Sequence, residues 1–547
     1  MNIVAAVFAD FVEANPGGPS QLRTEVTGQS ILTHTLRRLM RVSGLAGRCL
    51  VVRQRDQQAA AETLHAAGLN DKIDLLPLDT GVRPRRQLTR AARRWSLESW
   101  RGGLLGLTWY DEFVDPPTAA RVLNHFRCDG VFCFDGHQPV FDPALATAML
   151  AHAEENSQEA KMVFTQAPPG LTGILLRRES LADLLELNVP LGLALSYRPE
   201  MAQTDPITHS ACYHVAPEIA QTAARLTGDT RRSRELLAAA LKDLGQDAAA
   251  VALCAWANAP GHGRAGPLPI EVELELTTDD PLPETSLRPR GSRVPRRQLD
   301  DIGPVARLAQ QLTAYDDRLV LLGGHGDPLR HPRFAEVCRL LRSSGVFGVG
   351  VVTPLLELTD ESFETLFDSP VDVVEVLVDA HSAATYQRVH QHDGYDRVLA
   401  NIARIEQARA QRLAPQPIVA CSLTRCAATI QEMEGFFDDC IRKYGSALIR
   451  GYNDYCGSLP ADTLLPTVPW VREPCRRLAT RLMLLADGSA VACGQDFRGE
   501  LRVGDWTRES LDEIWGGMAL ADIRQRHATL SLGALPLCQR CSEWFRP

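Results

Sequence analysis

The chain contains no apolar run long enough to cross a bilayer as a helix, so no membrane span is expected. Its opening, "MNIVAAVFADFVEANPGG", has no basic stretch ahead of the apolar residues, and Asp10 and Glu13 interrupt them. It is read as a first strand rather than a secretion signal. An excess of positive charge is also missing. The formal net charge is −9, which argues against nucleic-acid binding by bulk electrostatics. The 14 cysteines lack the spacing of a disulfide framework, which points to reduced thiols and a cytoplasmic location. What is present is ordinary for a soluble globular protein: 547 residues, 45% apolar and 23% charged, enough for three or four domains.

Along the chain, short apolar runs alternate with helix-length stretches. Residues 1–230 contain "NIVAAVF", "RCLVVR", "GVFCFD" and "KMVFTQ", separated by segments such as "ILTHTLRRLMRV" and "ALATAMLAHAEEN", the rhythm of a parallel α/β sheet. Residues 231–269 read as a helical linker that ends in the Gly- and Pro-rich "NAPGHGRAGPLP". A second βα series of six β-rich runs occupies 270–465 and predicts a parallel sheet or partial barrel, with chemistry at the carboxyl ends of its strands. The remainder, 466–547, is a small cysteine-bearing module. Its "RLMLLADGSAVAC" predicts two strands around an Asp-Gly turn, followed by the helix "TRESLDEIWGG" with Thr507 as N-cap.

The candidate metal ligands lie in that last module. Cys475 and Cys493 are followed by the terminal pair Cys538 and Cys541, a CxxC. Four thiolates suit a tetrahedral zinc ion or an iron–sulfur cluster, and spacing leaves both open. The stretch from Glu473 to Gly517, with its Gly488-x4-Cys493 step, Gly504-Asp505 turn and Ser510-Leu511-x-x-Ile514-Trp515 helix, followed by the CxxC, resembles the SPASM module appended to many radical SAM proteins. The resemblance covers about 470–541 and implies one [4Fe-4S] cluster held by Cys475, Cys493, Cys538 and Cys541. Longer forms carry seven cysteines for two clusters. Cys456, in "NDYCG", is the other nearby thiol.

Ahead of the module, 270–465 resembles a radical SAM partial (β/α)6 barrel. "VLLGGHGDPLRHPRF" matches the strand end that cradles the methionyl part of S-adenosylmethionine in that family. The resemblance makes Gly323, Gly324, Gly326 and Asp327 the candidate cofactor-binding residues. The family's CxxxCxxC is missing, however: Asp280, Glu284 and Leu287 stand at the three cysteine positions, so no thiolate remains there for a second cluster. Pro354 and Leu355 replace a usual Asn-Gly. Asp279, Asp280 and Glu284 form a candidate divalent-cation site, and Arg288, Arg290, Arg293, Arg296 and Arg297 a candidate phosphate clamp or a solvated basic loop.

Residues 1–200 resemble nucleotide-sugar cytidylyltransferases and the wider GT-A-like nucleotidyltransferase family, on "MNIVAAVFADF", "VTGQSILTHTLRRLM" and "DGVFCFDGHQPVFDPALATAML". The phosphate-binding loop is reduced to Gly17, Gly18 and Arg23, and Asp135 with His137 stands at the metal position. Seven arginines from Arg83 to Arg101, with Trp95 and Trp100, read as a solvated helical face or a site for an anionic ligand.

The expected architecture is therefore α/β: a GT-A-like domain, a radical-SAM-like barrel and a SPASM module, a fusion similar to the spiro-SPASM type. Three readings follow. The first is a cluster-binding protein whose barrel does not generate radicals. The second is a nucleotidyl or glycosyl transferase acting through Asp135, and the third is an enzyme using S-adenosylmethionine without radical formation. The partner is a small molecule or protein substrate, with no nucleic acid or membrane expected.

Overall fold

A computed structural model describes the chain apart from residues 79–84, 202–204, 260–261, 263–265, 285–286, 465–466 and 547. The chain folds as two compact units, Met1–Gly263 and Arg264–Pro547. Among the described residues, no helix is long and apolar enough to cross a membrane.

The first unit is built on a seven-stranded sheet. Its strands are β1 (Ile3–Phe8), β2 (Gly47–Val52), β3 (Asp74–Pro77), β4 (Gly130–Asp135), β5 (Met162–Thr165), β6 (Ile174–Arg177) and β7 (Cys212–Tyr213). They lie in the order β3-β2-β1-β4-β6-β5-β7. β1 and β4 are buried on both faces, which is why they read as unbroken apolar runs. The sheet is mixed rather than wholly parallel, because β6 runs antiparallel to β4 and β5. The β5–β6 connection carries no crossover helix, and a parallel pairing requires one.

Residues 231–258 are not a free linker. Helices Arg231–Leu244 and Ala250–Asn258 bury Leu237, Leu241, Leu253 and Cys254 in a core shared with Ile31, Val140 and Leu171, so they belong to the first unit. Part of the Gly- and Pro-rich stretch after them, residues 260–261 and 263–265, lies outside the described set, as does the expected boundary at 465–466.

The second unit contains all six expected strands: β8 (Glu271–Glu275), β9 (Leu319–Gly323), β10 (Gly348–Thr353), β11 (Val373–Leu377), β12 (Ile418–Arg425) and β13 (Ala447–Gly451). Neighbours pair in parallel in sequence order. The C-terminal module is not a separate layer. Its strand β14 (Arg481–Leu484) adds in parallel to the free edge of β8, and the hairpin partners β15 (Ser489–Val491) and β16 (Arg502–Asp505) extend the same sheet to nine strands. The Asp-Gly turn is present, with Gly488 at φ +92°. The helix after it starts later than expected. Ser510, not Thr507, is the N-cap of Leu511–Gly516, because Glu513 closes a capping box with it. Thr507 instead donates to Asp505 in the preceding turn.

Alternation along β8 places Val272 and Leu274 in the hydrophobic core and Glu271, Glu273 and Glu275 on the opposite face. Glu275, fully buried, receives both Nε and Nη2 of Arg297 at 2.7 and 3.0 Å, and the backbone N–H groups of His325 at 3.2 Å and Ala486 at 3.3 Å. One carboxylate thus fastens three chain segments. Removing one partner of a buried pair leaves an uncompensated charge, so Glu275→Ala should lower stability by about 3–5 kcal/mol. Urea unfolding of the full chain followed by circular dichroism should show the loss, and Glu275→Gln, which keeps an acceptor, should lose less.

Candidate functional site

The structure brings Cys475, Cys493, Cys538 and Cys541 around one cavity, together with Cys456, Arg472, His527 and Trp544. Each cysteine is set by a local break in structure. Cys475 precedes the short helix Arg476–Ala479, Cys493 follows β15, and Cys538 and Cys541 lie in and just after the turn of helix Pro536–Arg540. Arg472 donates to the carbonyls of Cys538 at 2.7 Å and Cys541 at 3.1 Å, which fixes the CxxC loop. His527 Nδ1 accepts from the Cys475 N–H at 3.3 Å, so its proton sits on Nε2, a buried atom with no protein partner. Burial lowers the His527 pKa to about 4, which keeps the ring neutral.

Cys456 was the weaker candidate in the sequence, yet it is 1% exposed and lines the same cavity. A left-handed backbone at Tyr455 (φ 49°) and Cys456 (φ 59°) turns the chain there, a conformation that a sequence pattern does not reveal.

The chemistry of the donor set fits a cationic group. Burial pushes the thiols of Cys475 and Cys493 up and that of Cys538 to about 12, and neighbouring cysteines add to each shift. A hydrogen bond from Cys456, opposed by burial, brings Cys541 down to about 7 and holds Cys456 itself up. Crowded, desolvated thiolates repel one another, and binding iron or zinc offsets that repulsion while displacing the protons. Among the described residues, no three His, Cys, Asp or Glu side chains converge as closely as a single metal ion needs. The four cysteines line a shared cavity.

At the carboxyl ends of the barrel strands, the positions matched to CxxxCxxC are occupied by other interactions. Asp280 is buried beside Arg290, with Oδ2 at 3.0 Å from Nε, and both side chains are 5% exposed or less. Glu284 is half-exposed and bonds Ser292 and Arg293, and Leu287 packs with Val389, Cys426 and Tyr452. The three carboxylates expected as a cation site therefore do not converge, since Asp279 bonds Arg330 at 2.7 Å. The arginine segment is solvated only in part, at Arg293 and Arg296, which are exposed. Arg290 and Arg297 are buried in ion pairs, and Arg288 faces Asp379 at 3.5 Å.

The glycine-rich strand end is equally engaged. The Gly324 N–H donates to Glu273 Oε1 at 3.2 Å, that of His325 to Glu275, and that of Asp327 to the Asp279 carbonyl at 2.8 Å. Gly326 packs so closely on the backbone of Thr277–Asp279 that a Cβ there would collide with it. Asp327 is fully buried; burial first, then the charge of Asp280, raises its pKa to about 7. Gly323 Cα faces Val352 and Glu273. The backbone donors of Gly324 and Asp327, expected to help cradle S-adenosylmethionine, are thus bonded to this chain's own carboxylate and carbonyl. Leu355, at the usual glycine position, keeps a left-handed backbone (φ 51°) and is buried without exposure.

A second cavity of this unit, about 240 Å³, is lined from β8, β10, β12, β13 and β14, which requires the sheet to curl. Cys493 and Gln495 line both this cavity and the cysteine cavity.

In the first unit, Asp135 ends β4, and its Oδ1 lies 3.4 Å from His137 Nδ1. Both side chains are buried, and Asp135 Oδ2 and His137 Nε2 have no partner in the protein. The strand-end loop is closed by ion pairs. Asp10 Oδ2 meets Arg86 at 2.7 Å and Arg53 at 3.0 Å. Burial raises the Asp10 pKa, but Arg86 and backbone donors outweigh it and bring it to about 2. The helix Arg86–Arg93 is not a solvated face: Arg90 reaches Glu13, and Arg93 reaches the buried Glu112, which also binds Arg225. Arg83 lies outside the described residues. Arg23 is exposed beside Glu62.

Residues 475–542 match the SPASM family, described as an iron–sulfur cluster-binding domain. A protein of Treponema pallidum (strain Nichols), described as uncharacterized, is 25% identical over 301 residues, which are 51% of this chain and 79% of that one. Among solved structures, SuiB of Streptococcus suis bound to its precursor peptide SuiA aligns with TM-score 0.40 and 11% identity, covering 63% of this chain and 79% of SuiB. BtrN in complex with AdoMet and 2-DOIA aligns with TM-score 0.33 and 13% identity, covering 50% of this chain and 93% of BtrN. A cytidylyltransferase from Leptospira borgpetersenii serovar Hardjo-bovis aligns with TM-score 0.32 and 12% identity, covering 47% and 94%. Cys475, Cys493, Cys538 and Cys541 fall inside the matched span and Cys456 outside it; the C-terminal segment of this chain carries a SPASM iron–sulfur cluster-binding domain.

Proposed function

We propose that this chain binds one [4Fe-4S] cluster through Cys475, Cys493, Cys538 and Cys541, does not generate a radical from S-adenosylmethionine, and acts in binding or maturation of a modified biomolecule. The observation that carries the reading is the pairing of Asp280 with Arg290, where a radical-generating barrel needs a thiolate. A cluster so held supplies one-electron transfer. Arg472 positions the CxxC carbonyls, and His527 offers a neutral Nε2–H to the cysteine cavity. The N-terminal unit serves as a binding or scaffolding element. Arg53 and Arg86, beside the carboxyl end of β1, are already paired with Asp10, so the strand-end loop has little positive charge left to offer a triphosphate.

Anaerobically purified protein should contain about four irons and about four sulfides per chain. Serine at any of the four cysteines should bleach the visible absorption, while Cys128→Ser and Cys254→Ser, buried in the first unit, should not. One equivalent of zinc without sulfide would overturn the cluster assignment.

Dithionite-reduced protein incubated with S-adenosylmethionine should yield no 5′-deoxyadenosine above a cluster-free control. Reductive cleavage needs an iron with an open coordination position beside the sulfonium, and four cysteine ligands leave none. Product that depends on Cys538 would show that radical chemistry survives. Calorimetry with CTP and magnesium should likewise give no saturable heat, and micromolar binding lost in Asp135→Ala would favour a transferase instead.

A further inference from the structure

The barrel cavity has a composition that neither the cluster nor the radical-SAM resemblance accounts for. Five arginines, Arg288, Arg450, Arg477, Arg481 and Arg546, line its 240 Å³ together with three glutamates, Glu271, Glu273 and Glu543. Most of their ion pairs are long. Arg481 lies 3.4 Å from Glu271, Arg288 3.5 Å from Asp379, and Arg477 3.6 Å from Glu543. Arg546 shares that same Glu543 at 3.1 Å, so two guanidinium groups compete for one carboxylate. The Nε of Arg477 is buried without a hydrogen-bond partner, and that of Arg546 has Glu543 alone beside it. Only Arg450 is tightly held, by Glu375. Gly451 lets Arg546 reach this place, since a Cβ there would collide with its guanidinium.

Guanidinium groups held around a cavity but not satisfied by it are what planar oxyanion recognition requires. Three carboxylates share the cavity: Glu271 and Glu543 are taken up by Arg481, Arg477 and Arg546, whereas Glu273 forms no ion pair among the described residues, and its pKa is raised by burial and then by Glu271. The cavity lies below the size typical of drug-sized ligands, which confines the occupant to a small molecule.

We propose that the barrel cavity binds a small oxyanion-bearing molecule, a phosphate or carboxylate compound, through Arg477, Arg481 and Arg546, with Glu273 setting how much negative charge the site accepts. The proposal names the ligand class for the binding role given above. It does not depend on the cluster being present, and iron measured in the same samples separates the two.

The test is isothermal titration of the full-length protein at constant ionic strength with inorganic phosphate and with malonate. Saturable one-to-one heat is expected for at least one of them, and the tighter probe identifies the phosphate or carboxylate class. Arg546→Gln, near the chain end, should weaken that binding by about tenfold or more, because it removes a charge-assisted hydrogen bond. Glu273→Gln, which keeps the acceptor for the Gly324 N–H, should tighten it. These opposite signs distinguish a charge-selective site from general loss of structure, which would weaken both. The absence of saturable heat with either probe, or an affinity unchanged in both variants, would overturn the proposal, as would weaker binding in Glu273→Gln. Saturable anion binding by wild-type protein that carries no iron would leave the anion site standing and count against the cluster assignment alone.

Discussion

Glu275 is the residue on which the second unit closes. A carboxylate buried without exposure at the end of the first barrel strand is costly unless its lone pairs are used, and here they accept from Arg297, from the strand end at His325 and from the C-terminal hairpin at Ala486. Arg297 in turn donates to the Phe497 carbonyl at 3.1 Å, so the same pair reaches further into the SPASM segment. Such pairs add little net stability over an apolar core, but breaking one is expensive, and that asymmetry enforces a single arrangement. The loop after β8 is held in this way, by Glu275 with Arg297 and Asp280 with Arg290, without thiolate ligands.

The strands were legible because each is an apolar run bounded by turn residues, and all six barrel runs form strands in chain order. Pairing partners were not. Arg297 lies 22 residues from Glu275, and Arg225 lies 113 from Glu112, and a charged residue carries no mark of a distant partner. Arginine-rich segments at 86–93 and 288–297 therefore resembled solvated surface, whereas several of their side chains are among the most buried in the molecule. Local competition misplaced the cap as well: Thr507 and Ser510 are both good cap residues, and only the reach of Glu513 decides between them.

The cysteine site was legible in its spacing, since the CxxC and the step from Cys475 to Cys493 stand in the sequence. Cys456 was not, because its place depends on a left-handed turn at non-glycine residues. Leu355 makes the same point in reverse. The sequence shows a glycine position lost, yet the backbone keeps the left-handed conformation, held by full burial of the leucine side chain. Local strain of order 1–3 kcal/mol is tolerated where surrounding packing fixes the chain.

The barrel cavity and the cysteine cavity of the second unit meet at one strip of chain, since Cys493 and Gln495 line both. Gln495 is itself in contact with Cys456, whose sulfur lies 3.9 Å from its Oε1. A charge placed in one cavity and a charge placed in the other then act on each other across a wall that includes Cys493 and Gln495, and a low-dielectric interior screens such an interaction less than water does. Binding at one position and charge state at the other are linked reciprocally by that field: whatever makes the cysteine cavity more negative must weaken an anion in the barrel by the same free energy that the anion exerts in return. The arginines at the barrel wall and the thiols behind it therefore form one electrostatic system, built on the sheet that Glu275 holds together.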